Sequence, residues 1–348
     1  MPPPLPITIL GDGQMGLFCA SLLANQPPGQ NGAVGVGSVT LWGHESKPIL
    51  ALAQTRVSPR LEMVRLPESV RVTDDDAAAL RNAGLIVAAV PTQYIRSVLE
   101  RVRRHIPPNA PIVSVSKGFE NGTLQRPTQV IVDALASTAR PAPPVGVLSG
   151  PTIAPELGRC LPATMLAAST DAALAERVQT LFTTSWLRVY TSDDPVGVEV
   201  AGAVKNVIAI AAGIIDGLQA GYNAKSALLA RGLAEIARLG AALGAKPETF
   251  FGIAGVGDLA TTCFSPEGRN RSCGEALGRG EKLSDYLDRT NSVVEGVATT
   301  LSVVELAKQF GVEMPITQAV HAVLYEGLDP IDAISRLMTR RVGAEKVG

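Results

Sequence analysis

The 348-residue sequence has few aromatic side chains and no excess of basic charge. Phe, Trp and Tyr make up 4% of the residues and hydrophobic residues 46%, so the core must be built from Ala, Val, Leu and Ile. Such cores are typical of buried parallel strands and closely packed helices. Because 31 Lys and Arg residues accompany 32 Asp and Glu residues, no basic surplus favours nucleic acid or an acidic membrane surface as a partner.

Cysteine and histidine are also scarce, with four and three residues. No CxxC pair or zinc-binding spacing occurs, so we expect free thiols in a reducing compartment and no metal site. The N-terminal segment MPPPLPITIL has neither the basic part nor the long apolar part of a signal peptide. Residues 196–218 are the most apolar stretch, but three charged residues interrupt them, which favours a buried helix over a membrane span. We therefore predict a cytoplasmic protein.

Short apolar runs alternate with helical segments over the first half of the chain. The runs ITIL, VTLW, LIVAAVP, IVSVS and VGVLS are continuously apolar, as strands covered on both faces are. Their alternation with helices predicts an α/β fold with a doubly wound parallel sheet of the Rossmann type. From about residue 193 the pattern predicts only helices. We expect a dinucleotide-binding domain over 1–192 and an all-helical substrate-binding and catalytic domain over 193–348.

The first predicted strand is followed by the motif GDGQMG at residues 11–16. In this pattern Gly11 allows a tight turn, Gly13 lets the backbone approach a pyrophosphate, and Gly16 allows close packing of helix on strand. The helix N-terminus adds a partial positive charge. A glycine-rich turn of another α/β protein is the alternative, but the position after the first strand favours a dinucleotide cofactor.

The end of the second strand leaves NAD and NADP equally open as cofactors. An acidic residue at this strand tip would bind the ribose hydroxyls and repel a 2′-phosphate. The tip reads Gly43-His44-Glu45, with no acid directly after the strand. NADP is therefore not excluded, His44 is a candidate for the adenosine pocket, and Glu45 keeps NAD possible.

Three later turns also follow strands: Val90-Pro91-Thr92, Ser116-Lys117-Gly118 and Gly150-Pro151-Thr152. Ligands of open α/β sheets lie at the carboxyl ends of the strands, so these turns are candidates for one site. A lone loop lysine is more often only solvated, and Lys117 by itself is weak evidence.

The long apolar helix carries Lys205 and Asn206 at its centre. A buried ammonium group without compensation is costly, and no acid lies three or four positions away on the same face. A lysine that snorkels from a helix end is the alternative, but the apolar stretch continues on both sides. We expect its partner to be Asp258, from the loop GVGDLATTC, or a bound ligand. A desolvated lysine can act as a general acid or base.

A compact polar cluster, Gly268-Arg269-Asn270-Arg271, follows that loop. The planar fork of arginine donors suits a phosphate group, although an isolated cluster of this kind is more often a solvated surface loop.

These segments together resemble a known family. The segments LSGPTIAPEL, GVEVAGAVKNVIAIAAGIIDGL, ALLARGLAEIARLGAALGA, GVGDLATTC, GRNR, VVEG and VEMPIT are similar, in this order, to NAD(P)-dependent glycerol-3-phosphate dehydrogenase of the soluble bacterial type. The resemblance runs from about residue 7 to residue 338. It implies reversible reduction of dihydroxyacetone phosphate to sn-glycerol 3-phosphate for phospholipid synthesis, with NADH or NADPH, by a protein that often forms a homodimer.

The resemblance also implies roles for individual residues. Lys205 matches the proton donor to the carbonyl oxygen and acceptor in reverse, with Lys117 and Asp258 beside the reacting centre. The implied substrate-binding residues are Lys117, Gly150, Thr152, Asn206, Asp258, Thr262, Arg269 and Asn270. The implied cofactor-binding residues are Gly11, Gly13, Gln14, Met15, Gly16, His44, Lys117, Ala154, Arg269, Val293 and Glu295. On this interpretation Lys205 is buried because its partner is the substrate.

Three features depart from the family pattern. Asp12 stands where Ala is common, Gly268 stands where Ser is common, and residues 25–38 lengthen the first helix–strand connection. Asp12 would either cap the first helix or weaken dinucleotide binding. The rival enzymes of this architecture, ketopantoate reductases and β-hydroxyacid dehydrogenases, act on carboxylates. A cofactor-binding redox sensor is a further alternative, which the presence of Lys205 and Asp258 disfavours.

Overall fold

The computed structural model describes residues 3–26, 35–136, 141–290, 293–341 and 343–344. The chain forms two compact units: Met1–Ser116 with Pro127–Pro195, and Lys117–Arg126 with Val196–Gly348. This division differs from the expected one chiefly in a ten-residue segment, Lys117–Arg126, which belongs to the second unit. Most of the predicted 25–38 insertion lies outside the described residues.

The first unit is built on one eight-stranded sheet of order β3-β2-β1-β4-β5-β6-β7-β8. The strands are β1 Leu5–Leu10, β2 Val36–Trp42, β3 Val70–Thr73, β4 Leu85–Ala88, β5 Ile112–Ser114, β6 Val145–Ser149, β7 Ala163–Ala168 and β8 Leu187–Ser192. The order reverses between β1 and β4, which is the doubly wound arrangement of dinucleotide-binding folds, so the predicted fold class is confirmed. Strand β7 runs antiparallel to β6, a direction that its apolar run does not encode.

Helices cover both faces of this sheet. They are α1 Gln14–Ala24, α2 Ser46–Thr55, α3 Asp76–Leu80, α4 Ile95–Val102, α5 Pro127–Leu135, α6 Ala154–Gly158 and α7 Ala172–Phe182. Successive residues of β4 enter different cores: Leu85 and Val87 pack in one, Ile86 and Ala88 in the other. Because side chains alternate across a strand, a continuous apolar run is what a doubly covered sheet requires.

The second unit is helical. Its helices are α8 Pro195–Gly217, α9 Gly221–Ala242, α10 Asp258–Phe264, α11 Arg269–Gly278, α12 Leu283–Arg289, α13 Glu295–Phe310, α14 Pro315–Tyr325 and α15 Pro330–Met338. By length and composition α8 is the one helix in the described ranges that would be able to cross a membrane, and its most apolar window is entirely buried. Its burial agrees with the predicted core helix.

Helices α8 and α11 touch through glycines spaced four residues apart on each. Gly213 and Gly217 lie on α8, and Gly274 and Gly278 lie on α11. A β-carbon on Gly213 or Gly274 would overlap a backbone carbonyl of the opposite helix. The two backbones are therefore in direct contact, a seam that sequence analysis did not identify.

The segment Lys117–Arg126 is held to the second unit by side chains along its length. Arg126 Nη1 lies 2.5 Å from Glu199 Oε2 on α8, at a fully buried carboxylate. The Ser302 hydroxyl on α13 donates to Asn121, and Lys117 forms an ion pair with Asp258. These contacts explain why residues that follow a strand of the sheet pack with the helices.

Candidate active site

The turn after β1 has the geometry that its glycines predict. Gly11 has a φ of +118°, and a β-carbon there would lie 2.6 Å from the Ala89 carbonyl oxygen. A β-carbon on Gly16 would overlap the Gly11 carbonyl, whereas one on Gly13 would meet nothing within 4 Å. Helix α1 begins at Gln14, directly after this open position. Space beside Gly13 at a helix N-terminus is what a pyrophosphate needs.

Asp12 does not cap α1, because no side chain forms a capping hydrogen bond there. Instead, Asp12 Oδ2 lies 2.7 Å from Arg60 Nη1, and Gln14 Nε2 donates to the Arg60 carbonyl oxygen at 3.0 Å. The capping interpretation is therefore wrong. The paired arginine also offsets the negative charge that Asp12 would otherwise bring to the turn.

The end of β2 keeps the cofactor choice open. His44 and Glu45 are both well exposed, and their side chains lie 3.2 Å apart. Nearby, Arg101 pairs with Asp76 at 2.9 Å and stacks over the Trp42 ring. A histidine–glutamate pair beside a guanidinium offers groups suited to ribose hydroxyls and to a phosphate, respectively.

The turn after β6 is the other part of the first unit that carries predicted residues. Gly150 has a φ of +135°, which favours glycine, and the Thr152 hydroxyl donates to the Gly150 carbonyl oxygen at 3.1 Å. Ala154 begins α6. Parallel β1 and β6 end at the same edge of the sheet, so this turn and residues 11–16 lie on one edge.

The second unit brings two lysines to one carboxylate. Lys205 Nζ on α8 lies 2.7 Å from Asp258 Oδ1, and Lys117 Nζ lies 2.7 Å from Asp258 Oδ2. Lys205 also donates to the Thr262 hydroxyl at 2.5 Å, while that hydroxyl donates to the Asp258 carbonyl oxygen. Asp258 is fully buried and begins α10 after a π-helical turn. The burial of Lys205 is thus compensated within the protein, not by substrate alone.

Two cations around one carboxylate leave this cluster with a net positive charge. Burial lowers the pKa of Lys117 to about 8, while Asp258 opposes that fall and the Lys205 ammonium adds to it. A lysine whose charge is held beside a second lysine is suited to meet an anion or a developing negative charge.

A chain of amide hydrogen bonds lies next to the lysine cluster. Asn270 Nδ2 on α11 donates to Asn206 Oδ1 on α8 at 2.9 Å, and Asn270 Oδ1 accepts from the Gly296 N–H at 2.8 Å. A β-carbon on Gly296 would lie 2.7 Å from the Asn206 carbonyl oxygen. Helices α8, α11 and α13 therefore meet at this point, with Asn206 adjacent in sequence to Lys205.

Charged groups border this network. Arg269 is exposed at the start of α11 and forms no hydrogen bond or ion pair with any residue that the structure describes. Glu295 begins α13; burial raises its pKa to about 7, although the cations Arg269, Lys117 and Lys205 lower it. Val293 precedes it and is exposed.

The predicted site residues therefore fall into two groups, one in each unit. The first unit holds Gly11, Gly13, Gln14, Met15, Gly16, His44, Gly150, Thr152 and Ala154. The second brings together Lys117, Lys205, Asp258 and Thr262, with Asn206, Asn270, Arg269 and Glu295 on the helices around them and Val293 just before α13. In the described part of the chain no group of three or more potential metal ligands occurs.

Comparison with known proteins places the sequence in a family. The profile of the NAD-dependent glycerol-3-phosphate dehydrogenase N-terminus matches residues 6–175, and that of the C-terminus matches residues 194–335. The chain belongs to this family. The predicted resemblance and the predicted class of NAD(P)-dependent oxidoreductase are confirmed.

Relatives in the glycerol-3-phosphate dehydrogenase family are similar over almost their whole length. Glycerol-3-phosphate dehydrogenase (NAD(P)+) 2 of Salinibacter ruber is 45% identical over 97% of this chain and 96% of its own. The Geobacillus thermodenitrificans enzyme is 46% identical over 96% and 94%. The crystal structure of glycerol-3-phosphate dehydrogenase (gpsA) from Coxiella burnetii matches with a TM-score of 0.89 and 35% identity, over 97% of this chain and 99% of that one.

Sequence analysis missed the ion pairs that surround the cluster in this family member. Asp216, at the end of α8, contacts Lys225 and Arg271, and Glu199 contacts Arg126. In the sequence, Glu199 and Asp216 are two of the three charged residues that interrupt the apolar stretch 196–218, and that pattern does not name their partners. Charged residues in such a stretch are themselves a signal, since a buried charge requires a partner.

Proposed function

We propose that this protein reversibly reduces dihydroxyacetone phosphate to sn-glycerol 3-phosphate with NADH or NADPH, and that it supplies cytoplasmic glycerophospholipid synthesis. The observation that carries the proposal is the buried cluster of Lys205, Asp258 and Lys117 in a chain of the glycerol-3-phosphate dehydrogenase family. The cluster provides an ammonium donor, a carboxylate that orients it and a second positive charge.

In this proposal Lys205 gives its proton to the carbonyl oxygen of the ketone during reduction and takes it back during oxidation. Negative charge develops on that oxygen as the ketone carbon accepts a hydride, and an ammonium beside it stabilises the charge. Asp258 and Thr262, at 2.7 and 2.5 Å from Lys205 Nζ, fix the direction of the donor. Lys117 adds a second charge and shares Asp258.

Arg269 and Asn270 are proposed to hold the substrate phosphate, with Asn206, Gly150 and Thr152 as further contacts. Arg269 is exposed and forms no hydrogen bond or ion pair in the described structure, although its charge acts on Glu295, so its guanidinium is available to a dianion. Binding of the remote phosphate orients a small substrate against the proton donor.

The glycine turn at residues 11–16 fits a dinucleotide, because the open position at Gly13 stands at the N-terminus of α1. NADH or NADPH, when bound, supplies the hydride. The proposed cofactor contacts are Gly11, Gly13, Gln14, Met15, Gly16, His44, Lys117, Ala154, Arg269, Val293 and Glu295.

The first test is cofactor oxidation with dihydroxyacetone phosphate, measured by absorbance for NADH and NADPH. The wild type should turn over, and Lys205→Met should lose about three orders of magnitude in kcat, the scale of a lost general acid that also stabilises charge. Dinucleotide binding and the melting temperature of the variant serve as controls. A wild type that binds dinucleotide but reduces ketopantoate and not the phosphorylated ketone would refute the substrate. Full activity of Lys205→Met would refute the role of the lysine.

A further inference from the structure

We propose that Arg271 is a positioning residue for the phosphate-binding turn: it fixes the first turn of α11, which presents Arg269 and Asn270, without touching substrate. The inference rests on the proposed function of that turn. It concerns the second arginine of the Gly268-Arg269-Asn270-Arg271 cluster, which the proposed reaction does not use.

The guanidinium of Arg271 is already engaged by two acids. Its Nε lies 2.6 Å from Asp216 Oδ2, and its Nη1 lies 3.3 Å from Glu275 Oε2. The side chain is only 14% exposed. Arg269, two residues earlier on the same turn, is exposed and without such partners in the described ranges. The two arginines therefore have different environments: Arg271 is largely buried and paired with acids, whereas Arg269 is exposed and available to a ligand.

Asp216 is itself immobilised. Lys225 Nζ on α9 lies 2.9 and 2.7 Å from its two carboxylate oxygens, and Lys225 is buried. Two acids, Asp216 and Glu275, thus hold the cations Lys225 and Arg271, and Glu275 also pairs with the exposed Arg279. Loss of Asp216 would leave the buried ammonium of Lys225 without this partner and Arg271 with Glu275 alone, so the set favours one arrangement.

The glycine seam gives α11 a fixed register against α8. Asn270 contacts Asn206, and the approaches of Gly274 to Ile210 and of Gly278 to Ile214 repeat the same separation in sequence. The helices therefore run in the same direction. The first turn of α11 is therefore held to α8 by two contacts, that of Asn270 with Asn206 and that of Arg271 with Asp216.

Contacts with neighbouring helices matter here because the start of α11 lacks a capping interaction of its own. Its N-cap is Gly268, which forms no side-chain capping hydrogen bond, and its first turn holds no acid. An uncapped helix start with an arginine at its first position tends to fray. The ion pair of Arg271 with Asp216 anchors this uncapped turn to α8.

The test compares Arg271→Met with Arg279→Met. Arg279 is a matched control, because it also pairs with Glu275 on α11 but lies at the opposite end and is largely exposed. We expect Arg271→Met to raise the KM for dihydroxyacetone phosphate about tenfold, with kcat changed less than twofold and with a smaller rise in the KM for NADH, since Arg269 is also a proposed cofactor contact. Arg279→Met should leave all three constants within twofold. A residue that served stability alone would lower the melting temperature without this selective change in KM.

Asp216 variants separate positioning from direct phosphate binding. Asp216→Glu keeps a carboxylate for Lys225 but displaces the contact with Arg271, and Asp216→Asn removes the charge. If Arg271 acts by positioning, each of these two variants that folds should also raise the KM for dihydroxyacetone phosphate severalfold. An unchanged KM in Arg271→Met, or a normal KM in a folded Asp216 variant while Arg271→Met is impaired, would overturn the inference. Failure of the wild type to reduce the substrate would instead refute the proposed function.

Discussion

Replacement of Asp258 by Asn tests the electrostatics of the two-lysine cluster. In the wild type both ammonium groups lie 2.7 Å from this buried carboxylate. With a neutral amide in its place, burial and the repulsion from Lys205 still lower the pKa of Lys117, and the attraction that opposes them is lost. Lys117 should then lose its charge at a lower pH than in the wild type.

The size of this change follows from the geometry. Two unit charges about 4 Å apart attract by about 4 kcal/mol at an effective dielectric constant of about 20. That attraction corresponds to about three pKa units at about 1.4 kcal/mol each. The Lys117 side chain is 16% exposed, and solvent screening reduces the effect, so we expect a fall of about one to three pKa units below about 8.

The measurement is kcat/KM for reduction of dihydroxyacetone phosphate as a function of pH. In the wild type kcat/KM should fall above a pH of about 8, as Lys117 loses its proton; this fall is the alkaline limb of the profile. In Asp258→Asn the alkaline limb should lie at a lower pH, and the maximum kcat/KM should be lower. Glu235→Gln is the matched control: this carboxylate is equally buried in the same unit but, among the described residues, accepts hydrogen bonds from Ile316 and Thr317 and forms no ion pair. It should change stability and leave the pH limb in place.

An alkaline limb that stays at the same pH in Asp258→Asn would refute this reasoning. It would mean that the carboxylate does not hold the charge of Lys117, whatever its effect on the maximum rate. A limb that moves equally in Glu235→Gln would attribute the change to general destabilisation.

Three further predictions concern other parts of the chain. Burial raises the folded-state pKa of Glu295 to about 7. The free energy of unfolding of the ligand-free protein should therefore fall by roughly 2 kcal/mol, after screening, as pH rises from about 4.5 to about 7. Urea unfolding measures this fall, and Glu295→Gln should lack it. Gly13→Ala should fold normally but lose most of its NADH affinity in a fluorescence titration, whereas Gly16→Ala should lower the melting temperature, because only the latter β-carbon overlaps backbone. Of the four thiols only Cys160 is exposed, and burial raises the pKa of the other three to about 12, so a thiol reagent at pH 8 should label one site; rapid labelling of two or more would contradict this.

The sequence predicted the sheet well because its signal is local. Each buried strand is one apolar run, and the turn at residues 11–16 is specified by the glycines that it contains. Asp258 was one of the two predicted partners of Lys205, the other being a bound ligand, since a buried ammonium with no acid on its own face of the helix needs a partner from elsewhere. The direction of β7 was not, because an apolar run is the same in either direction.

Contacts between distant segments account for what was missed. Asp12 has its partner in Arg60, which lies 48 residues away, so a local capping rule gave the wrong interpretation. Arg271 and Asp216 are 55 residues apart, and only the packing of α8 on α11 brings them together. The glycine spacings in GIIDG and GEALG are visible in the sequence, but they indicate a close helix contact only once the opposite helix is known.

The assignment of Lys117–Arg126 to the helical unit has a consequence for how the chain may be divided. The polypeptide passes from one unit to the other three times, after Ser116, after Arg126 and after Pro195. A fragment that begins at residue 196 would therefore contain Lys205 and Asp258 but lack Lys117, and it would leave the buried carboxylate of Glu199 without Arg126. A single crossover between two relatives therefore cannot exchange the whole helical unit, because Lys117–Arg126 lies between strands of the sheet in the sequence. Both lysines come from one parent only if that segment is exchanged as well.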